Sequence, residues 1–394
     1  MVNLSAAIKV GAVWSFISAT TFRFFSIFTG SSSAYSKRQK NYLGIMLGKY
    51  LSFCHSEDAS SSQKCYLTVI EELCPQFSLA DLRKSTNNFD ENQVTRRSVF
   101  NTVYKGCLKH NGVTDYAVTL KRLKSKSDQW KFRKEIEFHC QLSHPNLDSL
   151  IGFCDHKEEK ILVYEHMSNG SLYDCLCSKD FELLSWKKRL EICIGAARGL
   201  HYLHTGAKRS IFHCDIKPQN ILLDSNMVPK LSHLGFSLQG PLLRSKAKPI
   251  KVDMMIGTPG FMAPEYVLTK TFTDKCDVYS FGIVLMVVLS TSHKQSFFEK
   301  MYMMADSDLF LEEPLSLMTP YVDIPSFLER ISVGEIIDPV LLGKIAPECL
   351  GVFIDITKRC LSKDANERPD MGEVQVELEQ ALALQEDEDA CPEP

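Results

Sequence analysis

The first 56 residues of this 394-residue chain contain no aspartate or glutamate; the first acid is Glu57. Lys9, Arg23, Lys37, Arg38, Lys40 and Lys49 make the same stretch basic, among many serines and aromatics. Its apolar run, "VGAVWSFISATTF", is confined between Lys9 and Arg23. That is shorter than the about 20 residues a bilayer-spanning helix needs, which argues against a membrane span. No CxxC pair occurs and no histidines flank the cysteines at zinc-finger spacing, so a zinc-ribbon or finger reading is excluded. The 14 cysteines, scattered from Cys54 to Cys391, read as reduced cytosolic thiols. Cys175 and Cys177 are too close for an ordinary bridge on a helix. No strong excess of charge is present either. A net charge of −3 and a pI near 6.4 give no electrostatic footprint for nucleic acid. What remains is ordinary for a globular protein, with 44% hydrophobic and 24% charged residues and length for a large core.

For residues 1–56 three readings stand side by side. Acid-poor, basic, Ser-rich composition is that of a transit segment. A basic aromatic segment also suits the surface of an anionic membrane, giving peripheral contact at a cytoplasmic membrane face. The third is disorder or a true start at Met46 rather than Met1. There is no Met-Gly start for myristoylation, whereas Cys54 and Cys65 are acylation candidates.

"SEDASSSQK" opens a linker over 57–77. Ser78 is placed to cap a short helix with Leu79, Leu82 and then Phe89 on its apolar side. Between 98 and 165, "SVFNTVYKG", "DYAVTLKRL", "DSLIGFCDH" and "KILVYEH" alternate β-branched or aromatic residues with polar ones, which predicts antiparallel strands. "QWKFRKEIEFHCQL" interrupts them as a helix. From Ser171 the periodicity turns helical, and "TDKCDVYSFGIVLMVVLS" is apolar nearly all round, as in a buried helix. The final stretch, 386–394, reads as a frayed acidic tail.

Chemistry concentrates in "HCDIKPQNILLD", which sets His, Asp, Lys and Asn at the spacing H-x-D-x-K-x-x-N. It resembles the catalytic loop of a eukaryotic protein kinase. "VTLKRL", "KEIEF", "GTPGFMAPEY", "DVYSFG" and "ERPDM" follow the same family in order and spacing. "FSLADLRKSTNNFD", "LIGFC" and "LVYEHMSNGSLYDCL" are similar to plant receptor-like kinases, most closely the FERONIA-type group, without the extracellular domain. The resemblance covers about 78–385 and implies an α+β, two-lobed protein kinase fold. A small antiparallel β lobe with one main helix (about 78–167) would precede a larger, mostly helical lobe (about 168–385).

It also implies roles. Lys121 would bind the α- and β-phosphates of ATP, oriented by Glu135. Asp215 would take the proton of the substrate hydroxyl, Lys217 would steady the γ-phosphate, and Asn220 would bind Mg2+. Val103 and Leu222 would sandwich the adenine beneath Thr119, where the family usually has Ala. Tyr164 would guard the back of the pocket, and the backbone of Glu165 and Met167 would meet the adenine edge. By the same resemblance Glu265 and Arg368 form a buried ion pair, a kind of contact that must stay paired.

The departures are as informative. "HLG" (233–235) stands where the family has Asp-Phe-Gly. Mg2+ wants oxygen ligands, and the imidazole of His233 is a poor substitute. A new transition-metal site at His233 is the alternative. Leu234 replaces Phe conservatively and should still pack. Arg96, Ser98 and Asn101 align with the glycines that let backbone N–H groups approach phosphate. Asn101 tolerates the left-handed region, whereas Arg96 and Ser98 put side chains in the way, which implies a solvated hairpin and weak ATP binding. Arg96 or Arg97 contacting phosphate directly is the other reading. Cys214 replaces the Arg that pairs with a phosphorylated activation loop. Ser237 and Ser245, beside Arg244, Lys246, Lys248 and Lys251, are phosphosite candidates or plain exposed loop serines.

Two functions therefore remain. One is a pseudokinase or very weak kinase that acts by binding receptor-like kinases or their substrate proteins. The other is an active ATP-dependent Ser/Thr kinase. Both place the chain in cytoplasmic plant signalling.

Overall fold

The alternation in 94–123 folds into strands β1 (Val94–Arg97), β2 (Asn101–His110) and β3 (Val113–Leu123). Along β2 the even positions Tyr104, Gly106 and Leu108 are buried while Lys105, Cys107 and Lys109 are exposed, the period of a half-buried strand. Helix α1 (Leu79–Ser85) precedes them, and α2 (Gln129–Gln141) leads to β4 (Leu150–Asp155) and β5 (Lys160–Glu165). The strands form one antiparallel sheet in the order β1-β2-β3-β5-β4. The expected cap is present: Ser78 Oγ accepts from Asp81 N at 3.1 Å. Phe89 lies beyond the helix, not on it, and packs on Tyr104 at 5.4 Å between ring centroids. Gly152 is required in β4, because a Cβ there would fall 2.3 Å from the Pro75 carbonyl oxygen.

This computed structural model describes residues 74–98, 100–110, 112–124, 129–157, 159–177, 184–240, 248–290 and 336–390. They belong to one unit, Ile70–Pro394. The expectations for 1–56, including Met46 and Cys54, and those for Cys65, most of the linker, Arg244, Ser245, Lys246 and residues 391–394 lie outside the described residues. Among the described residues no helix is long and apolar enough to cross a membrane.

The second lobe is built on α3 (Leu172–Cys177), α4 (Trp186–His201), α5 (Pro264–Thr269), α6 (Asp274–Leu289), α7 (Pro347–Cys360) and α8 (Met371–Ala390). Short strand pairs join β6 (Ile211–Phe212) to β9 (Leu238–Gln239), β7 (Ile221–Leu223) to β8 (Pro229–Leu231), and β10 (Ile250–Lys251) to β11 (Thr271–Phe272). As its composition predicts, α6 is buried at every position from Cys276 to Leu289. Trp186 of α4 donates its indole N–H to Cys349 Sγ at 3.2 Å and meets the Phe353 ring edge-on.

Arg368 pairs with both Glu265 carboxylate oxygens, at 2.7 and 2.8 Å, as the resemblance implies. The burial is one-sided: the Arg368 side chain is fully enclosed, whereas that of Glu265 keeps 29% exposure. The acidic residues 386–390 are not a frayed tail. They continue α8, held by Lys187 on Glu386 at 2.7 Å and by Gln385 on Asp389 at 2.9 Å.

Candidate active site

The loop after β6 is fastened from below by α6. Asp277, fully buried, accepts from the backbone N–H groups of His213 (2.7 Å) and Cys214 (2.9 Å) and contacts His204 Nε2 (3.0 Å). This holds Cys214 at φ +69°, a region non-glycine residues seldom occupy. Burial, then the Asp277 carboxylate, pushes the Cys214 thiol pKa far up, the direction that disfavours a reactive thiolate. His213 accepts from Asp215 N through Nδ1 and donates from Nε2 to the Ser232 carbonyl. That pattern is the neutral tautomer, in keeping with the downward push of burial on its pKa.

Asp215 is thereby set at the cleft base. One carboxylate oxygen accepts from Thr258 Oγ1 at 2.6 Å and the other from Asn220 Nδ2 at 2.8 Å. Lys217 Nζ donates to Thr258 at 2.8 Å and lies 3.7 Å from Asp215. Thr258 is the group that ties Asp215 to Lys217. Sequence reasoning passed over it because it lies inside "GTPGFMAPEY", 43 residues from Asp215.

Across the cleft, β3 and α2 bring Lys121 onto both oxygens of Glu135, at 3.0 and 2.9 Å. The hydroxyl of Tyr164 also donates to Glu135. Burial pushes the Glu135 carboxyl up, but Lys121, Tyr164 and His139 outweigh it and hold the pKa below the usual value. Behind this pair sits a second buried acid that the sequence did not announce. Asp148 is 3.4 Å from His139 Nε2. Burial, and then the Glu135 charge, push its pKa well up.

Asp148 therefore keeps its proton in the folded protein at pH values where the unfolded chain has lost it. Above the ordinary value of 3.8, stability falls with rising pH until the folded-state pKa is reached. Asp148→Asn mimics the protonated acid and removes that decline. The variant should therefore gain stability relative to wild type as the pH rises from about 4 toward neutrality, comparing for instance pH 5 with pH 7. Urea midpoints at the two pH values measure it, and an equal difference at both would show Asp148 ionised in the fold.

His233 takes the left-handed conformation, φ +71° and ψ +53°, which histidine tolerates better than most residues. Replacement of an acid there therefore leaves the chain path intact. Leu234 packs fully buried, as expected. The His233 ring stacks on Phe236 at 5.3 Å. Burial, then Lys121, Lys217, His213 and Arg96, push its pKa well below the usual range, so the imidazole is neutral. Phe236 and Phe100 also lie against the Lys131 ammonium, 4.7 and 4.1 Å from their centroids.

The phosphate hairpin is closed by Ser98, whose hydroxyl accepts from the N–H of Phe100 and of Asn101. Asn101 is not left-handed but a buried β2 residue paired with Leu123. Arg97 turns outward to Glu91, whereas Arg96 reaches across the cleft to the Gln219 carbonyl at 3.4 Å. Ser237 is not an exposed loop serine: it is fully buried and donates to the His213 carbonyl.

Val103, Thr119, Lys121, Glu135, Tyr164, Glu165, Met167, Lys217, Asn220, Leu222 and His233 all line one cleft of about 640 Å³. Asp215 borders it through Asn220. The donors do not suit Mg2+. Asn220, oriented by its amide N–H on Asp215, keeps Oδ1 as an oxygen donor, but the 233 position offers a nitrogen, and Arg96, Lys121 and Lys217 surround it. Among the described residues no group of three or more His, Cys, Asp or Glu side chains fits a metal, so the transition-metal reading of His233 gains no support.

The family description protein tyrosine and serine/threonine kinase matches residues 89–378. The receptor-like protein kinase ANXUR2 of Arabidopsis thaliana is 42% identical over 317 residues, which is 80% of this chain and 35% of that protein. FERONIA, from the same organism, is 40% identical over 316 residues, 80% of this chain and 33% of its own length. For THESEUS 1 the figures are 39% over 335 residues, 85% and 37%. The chain thus spans about a third of the length of these relatives. Fold, cleft and match agree: the chain belongs to the protein tyrosine and serine/threonine kinase family, and its kinase domain is similar to those of the FERONIA and ANXUR receptor-like kinases of plants.

Proposed function

We propose that this chain is a pseudokinase of plant receptor signalling, which works by binding receptor-like kinases or their substrate proteins on the cytoplasmic side of the membrane. The observation that carries the reading is His233. A neutral imidazole among Lys121, Lys217 and Arg96 occupies the place of the metal-holding acid. Metal stabilisation of a transferring phosphoryl group contributes several kcal/mol, and its loss lowers the rate by about 10³ or more. The scaffold around the cleft is kept meanwhile, down to the bidentate Arg368–Glu265 pair and the Asp277 anchor. A protein whose shape outlasts its chemistry acts through its surface.

A weak Ser/Thr kinase is the second reading. It is favoured by the assembled Lys121–Glu135 pair and by the Asp215–Thr258–Lys217 cluster. In it Asp215 would receive the substrate proton, Lys217 and Lys121 would hold phosphates, and Val103, Leu222, Glu165 and Met167 would hold the base. Radiolabelled ATP separates the two. Wild-type protein should incorporate no label above that of its Asp215→Asn variant. Robust incorporation lost in that variant would leave the enzyme reading standing.

A further inference from the structure

The inner end of the cleft carries an inverted charge balance. Arg96, Lys121 and Lys217 stand there against Glu135 and Asp215, three cations to two carboxylates, while the other charged lining residues are engaged elsewhere, Arg97 with Glu91, Glu165 with Tyr116 and Asp174 with Ser171. With glycine at 96 and aspartate at 233, as the family motif has them, the same set would hold two cations and three carboxylates. Asp148 sits buried beside His139, where burial pushes its carboxyl toward the neutral form, so it is left out of the count. The His233 ring is kept neutral by burial and by these cations, so it adds no charge of its own. The motif's arrangement is an anionic pocket that draws in a divalent cation with its nucleotide. The arrangement here repels the cation and attracts the nucleotide's own charge.

A second feature points the same way. Gln219 is only 2% exposed, lines the cleft, and its side-chain Oε1 and Nε2 have no hydrogen-bond partner. A buried amide left unsatisfied costs about 1–3 kcal/mol, so a ligand that bonds it is favoured. Its backbone carbonyl is the group on which Arg96 rests. That contact, at 3.4 Å, is long and weak, and the guanidinium can exchange it for a phosphate at little cost.

We infer that this cleft is a site for metal-free nucleoside polyphosphate, in which Arg96, together with Lys121 and Lys217, takes the place of the divalent cation. Two losses that look independent in the sequence, the glycine at 96 and the acid at 233, are then one exchange of counter-charge from ion to side chain. The inference rests on the pseudokinase reading for its meaning: a nucleotide held without metal is a ligand that sets shape, not a phosphoryl donor.

Isothermal titration of the full chain with ATP tests it, once in EDTA and once in excess Mg2+. Binding is expected in EDTA. Excess Mg2+ should raise the dissociation constant about tenfold or more, because the magnesium complex carries two charges fewer. Arg96→Gly should weaken the EDTA affinity by about tenfold or more, the value of a charge-assisted hydrogen bond, and Arg96→Lys should retain most of it. His233→Asp should reverse the sign, so that Mg2+ tightens binding. Tripolyphosphate and adenosine separate the phosphate and base contributions, and each should bind more weakly than ATP. Tightening of wild-type binding by Mg2+, or no heat in EDTA, would overturn the inference, and neither measurement needs a variant that folds. The outcomes are separable from those of the labelling test. Label incorporation strikes the pseudokinase reading, whereas a failed EDTA titration strikes the counter-charge exchange alone.

Discussion

Restoring the acid alone, by His233→Asp, should leave autophosphorylation close to background, while adding Arg96→Gly, Ser98→Gly and Asn101→Gly should raise it by about 10³ or more. The single change supplies a metal ligand, but Arg96 still takes the metal's place on the phosphates and the hairpin is still closed by the Ser98 hydroxyl. Both defects act on the same bound nucleotide, so their repair is expected to be more than additive. Asn101→Gly also empties a buried β2 position, and the combined variant should therefore be somewhat less stable than wild type. Radiolabel per mole of protein is the measurement, with Asp215→Asn in the repaired chain as the control. Full recovery from His233→Asp alone would show that Arg96 and the closed hairpin do not hinder phosphoryl transfer. No recovery in the combined variant would place the defect elsewhere than in these groups.

The other large effect is on stability. Asp277→Ala removes a fully buried carboxylate that accepts from two backbone N–H groups and meets His204. Those donors have no water to turn to, and Cys214 loses what holds it at positive φ. Breaking one partner out of such an arrangement costs about 3–5 kcal/mol. Asp277→Asn keeps one acceptor oxygen and should cost roughly half as much. Denaturant midpoints with unchanged slopes would measure both. A loss under about 1 kcal/mol for the alanine variant would mean that the catalytic-loop backbone is held by something other than α6.

The parts legible in the sequence are those carried by local pattern. Alternation gave the sheet strands, all-round apolarity gave α6, and H-x-D-x-K-x-x-N together with Lys121 and Glu135 named the groups that the cleft gathers. What escaped depends on contacts between distant segments. Arg189 and Asp338 pair 149 positions apart, and nothing near either residue announces the other. Asp148 and His139 are polar residues that no local pattern marks as buried, yet the fold encloses both. In sequence Ser237 can be read as an exposed loop serine beside the basic residues that follow, yet its hydroxyl turns in toward the His213 carbonyl. The last acidic residues looked frayed because like charges repel. Lys187, on a different helix, supplies the counter-charge that extends α8 to Ala390. Arg96 was legible as an obstruction, but its reach to the opposite lobe was not, because side-chain direction depends on a hairpin that spacing alone does not fix.

Lys131 lies between the rings of Phe100 and Phe236, and so joins the phosphate hairpin, α2 and the turn after His233 through one ammonium group. Attraction between a cation and an aromatic face is short-ranged and works at contact, so dissolved salt screens it far less than it screens separated surface charges. The two lobes thus share a contact that ionic strength weakens little. On the proposed function, a docking protein would meet a surface in which these segments are already joined before it arrives.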